Sequence, residues 1–304
     1  MKLSRRRFLA ISAVAATMPR ALAASSGPHW LGQAMGARAS IRIDHPQAAA
    51  ITARCLAEIE RLESILSLYR PDSALMQLNR TGRLNAPPFE LLDCLSLAGT
   101  VYRASGGKFD VTMQPLWALW AEAAAVGRRP DAAERVAALS RTGWARVEAS
   151  ADRISLASGM ALTLNGIGQG YIADRVAALL EAEGLKDILI DTGELRALGT
   201  QPDGRDWPVR LAEGRAEVAL NQRALATSAL LGTCFDAAGR DGHILDPQTG
   251  APTSGPWRQI SISAPSAALA DALSTAACLT TDKAELDALI AGFPAVLLED
   301  AYAT

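Results

Sequence analysis

Apolar residues in this chain switch between alternation and helical spacing without settling into a regular strand–helix–strand rhythm, and that narrows the folds open to it. Helical spacing recurs at Ile51, Cys55, Ile59, Leu62, Leu66 and Tyr69, predicting an amphipathic helix over 51–69. A short helical run follows at 73–79, a second helix from about 89 to 105 stopped by Gly106-Gly107, and a third over 171–183 ended by Gly184. Alternation predicts a strand at 39–43. Further strand-like pieces lie at 145–148, 154–156, 161–164, 187–190, 207–211, 217–220 and 259–263, with 225–228 leading on to a histidine stretch. Residues 121–143, rich in Ala, Arg and Gly, read as a variable surface insertion. A doubly wound sheet requires a helical crossover between parallel strands each time. The order here predicts α+β instead: mixed or antiparallel sheets with packed helices.

The first residues are a separate unit. Ser4-Arg5-Arg6-Arg7-Phe8-Leu9 is a twin-arginine signature, followed by an apolar stretch over 8–18 and the small-x-small site Ala21-Leu22-Ala23. This predicts an export signal, residues 1–23, cleaved after Ala23, leaving a mature domain over 24–304 in the periplasm with no transmembrane anchor. The segment holds Lys2, Arg5, Arg6, Arg7, Arg20 and no acid, so its removal takes the formal charge from −2 to −7. An acidic body without a basic tract argues against nucleic acid as partner. Any anionic ligand then has to be held by backbone amides or by a metal. Cys55, Cys94, Cys234 and Cys278 show neither CxxC pairing nor zinc spacing. Cys55, Cys94 and Cys278 sit among apolar residues in helical patterns, where a buried free thiol is expected.

Three stretches carry chemistry. Gly242 to Gly250, reading GHILDPQTG, places His243 before Ile244-Leu245, read as the end of a buried strand, and an Asp246-Pro247 turn that Gly250 can close with positive φ. An imidazole held there suits a general base or a ligand contact; it equally suits a histidine that only hydrogen-bonds the turn's backbone. Thr163-Leu-Asn-Gly-Ile-Gly-Gln-Gly-Tyr-Ile-Ala-Asp174 runs from strand to helix through three close glycines, a turn that lets backbone N–H groups approach a phosphate. Its spacing is not that of a dinucleotide fingerprint. Finally Asp271, Ser274 and Thr275 share one helical face. A carboxylate with hydroxyls suits a hard cation such as Mg²⁺, whereas a solvent-facing Asp near a helix start is the alternative.

Taken in order, these stretches resemble the ApbE family, the FAD:protein FMN transferases. The matching blocks are Met35-Gly36; Tyr69-Arg-Pro-Asp-Ser73 with Asn79; 107–112 with Pro115 and Trp120; 165–174; Thr192-Gly193-Glu194; 243–250; and 270–276. The resemblance implies an ApbE-like fold and a Mg²⁺-dependent enzyme that moves FMN from its substrate FAD onto a Thr or Ser hydroxyl of an acceptor flavoprotein, releasing AMP. It implies His243 as the base. It also implies Mg²⁺ at Asp271 and Thr275, with Ser274 on the same face and a backbone carbonyl near Gly166. FAD contacts are expected at Met35, Tyr69, Lys108, Phe109, Asp110, Thr163, Gln169 and the Ile244-Leu245 pair; ordinary core packing is the alternative for Met35 and Tyr69.

The chain departs from the family pattern in three places. Gln169 stands where many members have Lys, Thr163 where an acid is usual, and Thr192-Gly193-Glu194 where a Gly-Gly-acid turn is usual. None touches His243, Asp271 or Thr275. Two other functions remain open on this reading: hydrolysis of FAD to FMN and AMP, and non-catalytic flavin binding or delivery.

Overall fold

A computed structural model describes residues 29–43, 45–211 and 216–303. The export signal lies outside them. Seven strands form the main sheet: β1 (His29–Ala34), β2 (Ala37–Arg42), β3 (Ile188–Asp191), β4 (Leu195–Leu198), β5 (Ala224–Ala229), β6 (Trp257–Ala264) and β7 (Leu297–Ala303). They lie side by side in chain order, each antiparallel to its neighbour. The α+β expectation holds, in its antiparallel form. Two long excursions interrupt the meander, residues 43–187 between β2 and β3 and residues 230–256 between β5 and β6. Most of the candidate site is carried by them.

The helices are α1 (Ala48–Leu66), α2 (Ala74–Thr81), α3 (Phe89–Ala104), α4 (Gln114–Ala124), α5 (Ala132–Leu139), α6 (Gly168–Ala182), α7 (Ala267–Ala277) and α8 (Lys283–Ala291). Strand alternation sorts side chains between the two sheet faces. On β3, Ile188 and Ile190 join the main core with Ile172 and Val176 of α6 and Leu273 of α7. Leu189 points the other way, to Leu195, Ala197 and Leu225 beneath a hairpin formed by Trp207–Arg210 and Glu217–Leu220. Where α6 crosses α7 only small residues fit. A Cβ on Gly170 would lie 2.3 Å from the Ala267 carbonyl oxygen, so the two helices touch through backbone.

Several sequence expectations need correction. Residues 161–164 are not a strand; they run as loop into α6. Ile244-Leu245 does not end a strand either, since within 230–256 the chain forms only isolated bridges, Cys234 to Gly242 and Leu245 to Pro252. Apolar runs there reflect burial against neighbouring segments, and a short apolar run alone does not distinguish that from a strand. Nor is 121–143 a loose surface insertion. It contains the end of α4 and all of α5, which begins at a capping box of Asp131 and Glu134 and buries Ala138 in a satellite core. The first helix ends at Leu66, short of Tyr69. Beyond the last element read from sequence lie α8 and β7. Cys55, Cys94 and Cys278 are buried free thiols, as expected.

Candidate active site

The glycine turn approaches α7 through atoms that only glycine leaves room for. A Cβ on Gly166 would lie 3.1 Å from Thr275 Oγ1 and 3.4 Å from the Phe109 ring. One on Gly168 would lie 3.0 Å from Met35 Cε, and one on Gly36 3.2 Å from the Tyr69 ring. Asn165 Nδ2 donates to the Tyr69 hydroxyl at 3.4 Å. Met35, Tyr69, Phe109, Gly166 and Thr275 therefore form one neighbourhood, assembled from five separate parts of the chain. Met35 has φ of 50°, uncommon for a residue with a side chain, and its N–H is fixed by Glu63 Oε1 at 2.7 Å.

Asp271 lies under this turn. It is 4% exposed, which removes the solvent-facing alternative, and the hydrogen bond it receives is a long one, 3.4 Å from Gly170 N–H to Oδ2. A buried carboxylate so lightly compensated favours its neutral form unless a cation joins it. Burial accordingly pushes Asp271 up to about 8, with the Gly170 N–H opposing. Burial, then the Asp271 and Asp191 charges, also raise Glu194 well above the usual carboxylate range. On the same helix Ser274 Oγ and Thr275 Oγ1 lie 2.7 Å and 3.3 Å from Ser228 Oγ. Asn165 Oδ1 is buried and accepts no hydrogen bond. The donor chemistry here is hard oxygen throughout, which fits Mg²⁺. No group of three His, Cys, Asp or Glu able to hold a metal occurs among the described residues. A cation would thus rest on one carboxylate, hydroxyls and backbone carbonyl, with substrate phosphate or water completing its shell.

His243 comes from the second excursion. Its backbone N–H donates to the Thr233 carbonyl at 3.0 Å, and ring Nδ1 lies 3.1 Å from the same oxygen. A carbonyl only accepts, so Nδ1 carries the proton and Nε2 keeps its lone pair. Burial lowers the imidazole below its ordinary 6.5, and the bond to Thr233 opposes this, so the ring is neutral at pH 7. The two readings of this histidine are compatible: one nitrogen anchors it and the other is left to act as a base. Asp246 closes the turn as expected. It accepts from Gln248 N–H at 2.8 Å and Thr249 Oγ1 at 3.1 Å, while Gly250, with φ of 65°, donates back to the Asp246 carbonyl.

The remaining expected residues are dispersed. Ile244 belongs to the main core and Leu245 to the satellite core. Lys108 Nζ is paired with Glu285 of α8 at 2.6 Å. Asp110 caps the single 3₁₀ turn after it, accepting from Thr112 N–H at 2.8 Å and Thr112 Oγ1 at 2.6 Å. Thr163 N–H donates to Val111 O. The Gln169 side chain lies against Gly193, whose Cβ would be 2.8 Å from Gln169 Nε2. Sequence reasoning passed over Asp174. Its carboxylate accepts from Ser266 Oγ at 2.7 Å, Ala267 N–H at 2.8 Å and Ala268 N–H at 3.0 Å, fixing the start of α7. One turn before it on α6 stands Gly170, so the two positions together seat the helix that carries Asp271. The signal was that i, i+4 spacing. Ser228, at the end of β5, gave none.

A continuous antiparallel sheet, a helix with one buried carboxylate seated beneath a glycine turn, and a histidine on a long inter-strand excursion define an α+β protein. The chain belongs to the ApbE family, whose profile matches residues 35–296. It is 30% identical over 254 residues to an FAD:protein FMN transferase of Klebsiella pneumoniae (strain 342), covering 77% of this chain and 72% of that protein. Against the FAD:protein FMN transferase of Escherichia coli (strain K12) it is 28% identical over 271 residues, 80% of this chain and 76% of the relative. The apo crystal structure of the Pseudomonas stutzeri flavinyl transferase ApbE superposes with a TM-score of 0.77 at 27% identity, covering 87% of this chain and 88% of that one. The Vibrio cholerae flavin transferase ApbE, at 24% identity and a TM-score of 0.74 over 91% and 96% of the two chains, shares the fold.

Proposed function

We propose that this chain transfers FMN from FAD to a Thr or Ser hydroxyl of an acceptor protein, with Mg²⁺ as cofactor and AMP as the leaving product, after twin-arginine export to the periplasm. The observation that carries the reading is Asp271: a buried, lightly compensated carboxylate beside Thr275 and beneath a glycine turn. The names of the relatives supply the substrate, FAD, and a protein acceptor.

In this reading Asp271 and Thr275, with Ser274 and the Gly166 carbonyl beside them, hold Mg²⁺, which neutralises charge on the FAD pyrophosphate when bound. Met35, Tyr69 and Phe109 present ring and thioether surface to the flavin or adenine. The acceptor hydroxyl attacks the phosphorus of the FMN half as His243 Nε2 takes its proton. A new P–O bond forms, the bond to the AMP phosphate breaks, and its electron pair leaves with AMP. Because Nδ1 is tied to Thr233, Nε2 is the nitrogen presented to the hydroxyl. Lys108, Asp110, Thr163, Gln169, Ile244 and Leu245 complete the proposed FAD surroundings. Lys108 would have to exchange its bond to Glu285 to reach a phosphate.

The test is His243→Ala with binding and transfer measured separately. FAD binding is expected to survive while acceptor labelling stops. Equal loss of both would make His243 a structural or ligand-contact residue and remove the base from the scheme.

A further inference from the structure

Residues 230–256 have no helix or regular strand, yet they must hold His243 still. Their backbone forms two small hairpin-like loops that meet at His243. In the first, His243 N–H donates to Thr233 O and Phe235 N–H to Asp241 O, around the Cys234–Gly242 bridge. In the second, Thr253 N–H donates to Ile244 O and Asp246 N–H to Ala251 O, around the Leu245–Pro252 bridge. Two-stranded elements of this size do not hold their shape alone in water.

Each is pinned from outside by the α4–α5 segment. In the first loop, the Phe235 ring lies between Trp117, centroids 5.4 Å apart and edge-on, and Trp120, 5.8 Å apart and stacked. The stretch leading back to His243 is held by Arg129, whose Nε lies 2.6 Å from Asp241 Oδ2. In the second, the Gly250 carbonyl accepts from Trp120 Nε1 at 2.8 Å. A Cβ on Gly250 would lie 2.8 Å from Leu116 and 3.2 Å from Leu139. Trp120 touches both loops, stacking on one and hydrogen-bonding the other. It is buried.

We propose that Trp120 is a positioning residue for His243, and that the α4–α5 segment is the clamp that holds the histidine's two loops in register. This rests on the reading of His243 as the base. The clamp also has a chain-level consequence: α4 follows directly on the Lys108–Asp110 stretch and its 3₁₀ turn. Phe109, beside Gly166, and the indole that holds the histidine loops therefore lie eleven positions apart on one continuous segment.

The experiment is Trp120→Phe in the full chain, with isotope-labelled histidine. Phenylalanine keeps a ring for Phe235 and removes the donor to Gly250. The sequence has three histidines, so the His243 imidazole can be assigned by its loss in His243→Ala and followed directly. The expected result is a moved or broadened His243 resonance with the other two unchanged. The turnover number for transfer should fall about tenfold or more, with FAD KM within about twofold, as misplacement of a catalytic group produces. Arg129→Gln, at the surface and releasing the first loop alone, should move the same resonance with a smaller fall in rate; it serves where Trp120→Phe folds poorly. An unmoved His243 resonance in both variants would overturn the proposal, as would a parallel loss of FAD affinity and turnover. If His243→Ala itself still labels acceptor, the base assignment fails, while the resonance shift still decides the clamp.

Discussion

Asp271→Asn should make the metal-free protein more stable while removing its response to Mg²⁺. The carboxylate is buried, receives one long hydrogen bond and is pushed up to about 8 from an ordinary 3.8. Holding a carboxyl protonated that would otherwise ionise well below neutral costs about 4 kcal/mol at pH 7. The sign follows from the raised folded value. Between 3.8 and about 8 the folded, metal-free protein binds more protons than the unfolded chain. Stability is therefore fully present at low pH and is lost as pH rises toward 8. Asparagine keeps the shape and cannot ionise, so this slope disappears. With chelator at pH 8, the variant should gain roughly 2–4 kcal/mol over the parent, a rise in Tm of at least about 4 °C for a domain this size. Saturating Mg²⁺ should raise the parent's Tm by mass action and leave the variant's unchanged. The assay is thermal unfolding at pH 5 and pH 8, with chelator and with Mg²⁺. A variant less stable than the parent in chelator at pH 8, or equally stabilised by Mg²⁺, would refute the reasoning.

The other predictions use different parts of the fold. Gly170→Ala places a Cβ 2.3 Å from the Ala267 carbonyl, so α6 and α7 must part. It should cost about 1–3 kcal/mol in urea unfolding and raise the Mg²⁺ concentration for half-maximal activity, by separating Gly170 N–H from Asp271; an unchanged midpoint would show the crossing to be looser than described. Burial lowers His243 below 6.5, so a base that must be neutral keeps working in mild acid. The acidic limb of the turnover–pH profile should fall below pH 6.5, and a limb above it would exclude His243 as its source. Burial raises Cys55 to about 11 and Cys278 to about 12 and also raises the fully buried Cys94. Under native conditions a thiol reagent should modify Cys234 alone, and labelling of a second cysteine before unfolding would contradict the packing.

What the sequence made legible was periodicity and local turn chemistry. Ile51 to Leu66 repeat at helical spacing because one face of α1 meets the core, and the helical run at 73–79 falls on α2 and its Ser73 cap. Asp271 and Thr275 were legible as one helical face, but not that the face was buried, because burial depends on α6 crossing at Gly170. Asp174 went unread for a related reason: its partners, Ser266 to Ala268, are more than ninety positions away. Residues 121–143 were misread because the Ala-rich α5, with only Val136 and Leu139 as large apolar residues, carries a weak signal. The contacts of the α4–α5 segment with the histidine loops are long-range: Arg129 reaches Asp241, 112 positions away, and Trp120 reaches Gly250, 130 positions away. Ile244-Leu245 was read as strand since its apolar side chains are buried, though in two different cores.

The most direct test of the central claim is the intact mass of an acceptor protein after incubation with this chain, FAD and Mg²⁺, with and without chelator. The account predicts a mass gain equal to one esterified FMN, dependent on Mg²⁺ and absent with His243→Ala, together with one AMP released per label. FAD bound tightly with no label and no AMP, across acceptors that an ApbE relative labels in parallel, would contradict it.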